Sequence, residues 1–173
     1  CARSIAEGLV VGWFQGRSEF GPRALGHRSI LANAKRDKMK DILNAKIKFR
    51  ESYRPFAPAI LESDLTDYYD SKIKFPYMTF TIDVPQKLAK QIPEAVHSDG
   101  TFRFQSVTPA NNSLFPDLLS QVKNEIGIGA VINTSFNLAG EPIVDSPFDA
   151  IRTFYSSGID TLYIGNFKLN KIV

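Results

Sequence analysis

The apolar positions come in short runs broken by polar, glycine or proline residues, and the runs switch between two periods. Residues 2–9 read as a helix-like stretch, and residues 10–14 as a short buried strand. Residues 16–26 form a glycine-containing loop, after which residues 29–32 predict a second strand. A helix is predicted over residues 37–46, with Met39, Ile42 and Leu43 on one face. Strand character returns at residues 56–61 and 77–84, the latter alternating aromatic and polar side chains as a half-buried strand does. Residues 101–107 also alternate, with Phe102, Phe104 and Ser106 on one side and Arg103, Gln105 and Val107 on the other. Residues 114–126 predict a helix whose apolar stripe is Leu118, Leu119, Val122 and Ile126. A short apolar strand follows at residues 129–133. Ser146, Pro147 and Asp149 supply a cap, a first-turn proline and a first-turn acid, so a helix starts there and should stop at Gly158. Residues 161–164 predict a last strand, and residues 85–100 are the most loop-like stretch and a candidate lid. This mixture predicts a single α/β domain built on a twisted mixed sheet with flanking helices.

Composition narrows the setting. A length of 173 residues suits one domain, and 43% hydrophobic residues is ordinary for a folded one. The net charge of +3 permits an anionic ligand without demanding one. One cysteine, Cys1, can build neither an internal disulfide nor a cysteine metal site, which points to a reducing, cytoplasmic setting. No run approaches the eighteen or so apolar residues of a membrane-spanning helix. The chain opens on Cys1 rather than Met, and is read as a domain cut from a longer enzyme.

Candidate chemistry concentrates in three strings. Residues 17–29 hold Arg17, Arg23, Arg28, His27, Ser18 and Ser29 among glycines that let a backbone approach a ligand closely. Arginine forks grip phosphate in a bidentate manner, so this loop is a candidate anion site. Residues 46–55 form a second basic string, and Lys48, Arg50 and Arg54 converge only if the chain turns near Glu51. In a straight helix Lys48 and Arg50 would point about 200° apart. The third string, residues 133–137 (NTSFN), ends an apolar strand in polar groups, where open α/β sheets commonly hold ligands. No phosphate loop or dinucleotide fingerprint is present. With only two histidines, His27 and His97, a histidine-rich metal site cannot be assembled.

The strings GRSEFGPRALGHRSILA, KFRESYRPFAP, SDGTFRFQSV, NTSFNLAGEPIV and IGNF, in order over residues 8–167, resemble the C-terminal domain of the NodU/TobZ family of carbamoyltransferases. The resemblance implies a YrdC-like fold with a concave basic cleft. It implies a domain that binds ATP and carbamoyl phosphate and forms carbamoyl-adenylate for transfer to a hydroxyl of a sugar or natural product. An N-terminal domain of actin-like ATPase fold, absent from this chain, would hold iron and carry out the transfer. The family's K-x-R and S-x-N signature falls on Lys48, Arg50, Ser135 and Asn137. Its arginines in the G-P-R-A-L-G, R-P-x-A-P and D-G-T-x-R-x-Q strings fall on Arg23, Arg54 and Arg103. Lys48, Arg23 and Arg103 are thus the expected catalytic set. Arg50, Arg54, Ser135, Asn137, Arg28 and His27 are the expected binding residues, with no metal held by protein side chains. Mg²⁺ would enter with ATP, bound through phosphates and water. Two alternatives are a non-catalytic nucleotide- or RNA-binding module and a threonylcarbamoyl-adenylate synthase-like enzyme. Nucleic acid is disfavoured as a partner, although Phe102 and Phe104 flank Arg103. A membrane partner is not expected.

Overall fold

A computed structural model describes residues 1–69, 74–109 and 114–172. Its centre is a seven-stranded mixed sheet. The strands are β1 (Val11–Phe14), β2 (Arg28–Ala32), β3 (Ala57–Leu61), β6 (Gln105–Val107), β7 (Ala130–Ser135), β8 (Thr161–Ile164) and β9 (Phe167–Asn170). Their spatial order is β6-β3-β7-β2-β1-β8-β9. The pairs β3–β6 and β1–β8 are parallel and the other four are antiparallel. A separate ribbon pairs β4 (Thr81–Asp83) with β5 (Thr101–Arg103).

Alternation along β1 sends Val11 and Trp13 to one face of the sheet and Phe14 to the other. Helices cover both faces, so the central strands read as nearly continuous apolar runs. On one side α1 (Ala2–Ala6) and α5 (Leu114–Ile126) pack on Val11, Trp13, Leu31 and Val131. The stripe of α5 buries Phe115, Leu118, Leu119 and Val122, each contributing about 1.5–3 kcal/mol of transfer free energy. The opposite face collects Phe14, Ile30, Ile132 and Phe136 against α2 (Met39–Leu43) and α6 (Pro147–Tyr155). Helix α6 starts on the expected Ser146, whose side chain and Asp149 cap each other's backbone N–H.

Four expectations change. The predicted strand over residues 77–84 survives only as β4, because Met78 takes a left-handed φ of 54° that no ladder accommodates. Residues 101–107 are split between two sheets, and both Phe102 and Phe104 are buried. Residues 85–100 are no free lid: Leu88 of α4 (Gln86–Ala89), Ile92 and Ala95 are anchored in the core at 0% exposure. The strand at residues 161–164 is not the last, since β9 returns beside it through a turn at Gly165, φ 55°. Among the described residues no helix is long and apolar enough to cross a membrane.

Candidate anion-binding cleft

Strand register explains why residues so far apart in sequence meet. Ser29 at the start of β2 pairs with Ser135 at the end of β7, and Ala57 at the start of β3 pairs with Asn133. In the parallel pair, Ala59 sits opposite Gln105 at the start of β6. One end of the sheet therefore gathers the loops entering β2, β3 and β6 and the loop leaving β7. The first two and the last of those loops carry Arg23, Arg54 and Asn137, and Arg103 ends β5 just before β6.

Two adjoining concavities occupy that end, sharing Arg50, Thr134 and Ser135 as a common wall. The smaller, about 140 Å³, is lined by Arg23, Arg50, Arg103, Met78, Asn133 and Ser135 among others. The larger, about 390 Å³, is lined by Lys48, Arg50, Arg54, Ser135, Asn137 and the backbone of residues 138–140. Among the described residues the only carboxylate lining either is Glu51, which is already paired with Arg54 at 2.9 Å on the exposed rim.

The smaller concavity is the more frustrated electrostatically. Arg103 is half-buried, its Nε is buried without a partner, and its guanidinium donates no hydrogen bond to a described residue. Burial first, and then the repulsion of Arg23, push its pKa below the usual guanidinium value. Arg23 is exposed and makes no hydrogen bond or ion pair with a described residue. Two uncompensated guanidinium groups facing one small space are an arrangement that an anion relieves.

Lys48 is held differently. It is 7% exposed, and its Nζ donates to Ser135 O at 2.7 Å, Asn137 Oδ1 at 2.8 Å and Asn137 O at 3.0 Å, with Ser135 Oγ at 3.3 Å. Ser135 Oγ in turn donates to Asn137 Oδ1 at 2.7 Å, and Asn137 Nδ2 donates to Glu141 O at 2.7 Å. No carboxylate among the described residues touches the ammonium. Burial, with Arg50 adding repulsion, pushes the Lys48 pKa down to about 7.

The turn that brings Lys48 and Arg50 together is at Phe49, not Glu51. After α2 the helix widens into a π-helical turn, Asn44–Lys48, which ends on Phe49 in the left-handed region at φ 46°. A bulky residue there stores strain, and the conformation reverses the chain between the two cations. Buried Asn44 fixes the returning segment: its Oδ1 accepts from Arg50 Nε at 2.7 Å and its Nδ2 donates to Arg54 O at 3.0 Å. Arg50 also lies 4.6 Å over the Phe56 ring. Its pKa is lowered by burial and then by Arg54.

Two expected site residues are not brought to this cleft. Arg28 is 4% exposed, and its guanidinium donates to the carbonyls of Gln15, Gly16, His27 and Asp145 at 3.0–3.4 Å. It lies 3.5 Å over the Phe14 ring, so its donors tie β1 to the segment before α6. His27 lines a separate groove with Arg17, Phe20 and Tyr77, with its Nδ1 3.1 Å from Gln15 O. A residue at the start of a fully buried strand, as Arg28 is, faces inward by register, which the local string did not reveal. Conversely, Asn133 was missed as an individual site residue. It lines the smaller concavity and donates to Ala24 O and Gln105 Oε1, both at 3.0 Å. A lone polar residue inside the run AVIN was the available signal.

The family model described as carbamoyltransferase C-terminus matches residues 2–171. Nodulation protein NolNO of Sinorhizobium fredii is 43% identical over 173 residues, covering 98% of this chain and 25% of its own length. The 3'-hydroxymethylcephem-O-carbamoyltransferase of Streptomyces clavuligerus is 36% identical over 169 residues, covering 98% of this chain and 32% of its own. The chain thus spans about a quarter to a third of these curated relatives. Among solved structures, full-length HypF in a phosphate- and nucleotide-bound form superposes with a TM-score of 0.63 at 18% identity, over 99% of this chain and 25% of that one. Sua5 of P. abyssi complexed with L-threonine gives 0.60 at 16% identity, over 95% of this chain and 45% of that one. Those two likenesses show the YrdC-like fold. The match across residues 2–171, with relatives above 40% identity, shows that the chain belongs to the carbamoyltransferase C-terminus family.

Proposed function

We propose that the cleft binds ATP and carbamoyl phosphate and forms carbamoyl-adenylate, the activated carbamoyl donor of an O-carbamoyltransferase. The observation that carries this reading is the convergence of Arg23, Arg50, Arg103 and Lys48 around two joined concavities whose single carboxylate among the described residues is already paired. Water first cleaves carbamoyl phosphate to carbamate and inorganic phosphate; a carbamate oxygen then attacks the α-phosphate of ATP, the bond to the β-phosphate oxygen breaks, and pyrophosphate leaves. Several anions must be held together for that step, so catalysis rests on positioning and fixed positive charge rather than on a protein nucleophile. Arg23 and Arg103 neutralise charge in the smaller concavity. Lys48 and Arg50, on the shared wall and beyond it, meet the polyphosphate. Arg54 screens the rim, and the Ser135–Asn137 network orients Lys48.

Among the described residues no group of three or more His, Cys, Asp or Glu is placed to hold a metal ion. The cleft residues therefore suit Mg²⁺ that arrives on ATP and keeps phosphate and water ligands. Transfer to a hydroxyl acceptor, and any iron, belong in this reading to a preceding domain of actin-like fold, consistent with relatives three to four times longer. The test is incubation of the protein with ATP and carbamoyl phosphate and mass spectrometric detection of carbamoyl-adenylate. Its appearance only when both substrates are present is expected. ATP binding with no adenylate under any condition would instead favour a non-catalytic nucleotide module.

A further inference from the structure

We propose that Glu19 is a positioning residue, whose carboxylate holds residues 19–28 in the one loop shape that delivers Arg23 to the cleft. The evidence is a three-pronged contact. Glu19 Oε1 accepts backbone N–H groups from Leu25 at 2.7 Å, His27 at 2.8 Å and Arg28 at 3.2 Å. A single oxygen thus closes a loop across six to nine residues, with the cationic tip between its ends. The other oxygen, Oε2, is buried with no hydrogen-bond partner among the described residues, and Glu19 also lines the groove that holds His27.

Three carbonyls of the loop are pinned to other elements. Ala24 O accepts from Asn133 Nδ2 at 3.0 Å, Leu25 O from Gln105 Nε2 at 3.0 Å and Gly26 O from Trp13 Nε1 at 2.8 Å. Gly26 N donates to Ser29 Oγ at 3.2 Å. These contacts hold the carbonyl side of the loop to β1, β6 and β7, while the N–H groups of Leu25, His27 and Arg28 are held by Glu19. Arg23 itself has no hydrogen bond to a described residue, so nothing but this backbone aims it at Arg103. Removing the acceptor frees three N–H groups at once, two of them beside the buried Gly26, and the loop must rearrange to solvate them.

Reach is what the loop contacts ask of Glu19 first, and its charge also favours the buried Arg28 guanidinium. The proposal rests on the anion-binding reading of the cleft for its functional half and on the loop contacts alone for its structural half. The experiment separates the two. ATP is titrated calorimetrically into wild-type protein and the variants Glu19→Gln, Glu19→Asp, Glu19→Ala and Arg23→Ala, and backbone amide exchange is followed on the same samples. Glu19→Gln keeps an acceptor at the same distance, so protection at Leu25, His27 and Arg28 is retained and ATP affinity stays within about threefold. Glu19→Asp keeps the charge but is one methylene short, so protection is lost and affinity falls about ten-fold or more, as in Arg23→Ala. Glu19→Asp combined with Arg23→Ala is no weaker than Arg23→Ala alone, because the first acts through the second. Should Glu19→Ala fail to fold, the order of Gln above Asp still decides. A Gln variant as impaired as the Asp variant, or losses that add in the double variant, would overturn the proposal. If the wild-type protein binds no ATP, the function proposed above falls. The clamp is then judged on exchange alone, and equal protection in the Gln and Asp variants overturns it.

Discussion

Lys48 and Arg28 are both nearly buried cations with four oxygen neighbours, yet they serve different ends. Arg28 spends its donors on four carbonyls of its own fold and stacks on Phe14, so it binds chain to chain. Lys48 lines a concavity, and burial lowers its pKa to about 7, leaving it poised between charged and neutral forms near neutrality. The sign of the consequence follows from linkage. The folded value lies below the unfolded 10.5, so between the two the unfolded chain holds more protons and Lys48 makes the free domain more stable as pH rises. A bound polyphosphate restores the proton by placing negative charge beside the ammonium. Binding therefore takes up a proton above pH 7, and ATP affinity falls with increasing pH by at most about ten-fold per unit. Calorimetry between pH 7.5 and 9, in buffers of different ionisation enthalpy, measures that uptake directly. In Lys48→Met the pH dependence should flatten, and an unchanged dependence would assign the titration elsewhere.

At the scale of elements, the cleft is built by loops whose shapes depend on a few backbone positions. Gly26 sits at φ 105°, where a Cβ would lie 2.3 Å from Phe115 Cδ1 of α5. Gly26→Ala should cost about 3 kcal/mol, adding left-handed strain to overpacking, and should displace the Arg23 loop. A lower thermal midpoint with weakened ATP binding is the expected result, read by calorimetry on one sample. The sequence made several elements legible because one local signal governs each: the stripe of α5, the cap of α6 and the apolar runs of β1 and β7. What it concealed depended on tertiary context. The π-helical turn before Phe49 has no periodic signature, and its left-handed residue is not glycine. The buried segment around Leu88, Ile92 and Ala95 looked loop-like because its helical turns are too short to display a period. The inward aim of Arg28 became visible only with the register of β2.

Across the whole molecule, the net charge of +3 is modest, and what matters is where the cations lie. Three segments that are distant in sequence present Arg23, Lys48 with Arg50, and Arg103 at one end of one sheet. Strand order and register, not any single motif, create that field. Arg103 is the sharpest probe of it, because it is half-buried, lacks a hydrogen-bond partner among the described residues and is repelled by Arg23. Truncating Arg103 removes an unfavourable contact in the free protein and a favourable one in the complex. The decisive measurement is the rate of carbamoyl phosphate-dependent pyrophosphate release from ATP in wild-type protein and Arg103→Ala, with the thermal midpoint recorded for each. The cleft account predicts a loss of about one to two decades in rate, from one charge-assisted contact of about 1.5–3 kcal/mol, with the midpoint unchanged or raised. Wild-type turnover in a fully folded Arg103→Ala protein would contradict it.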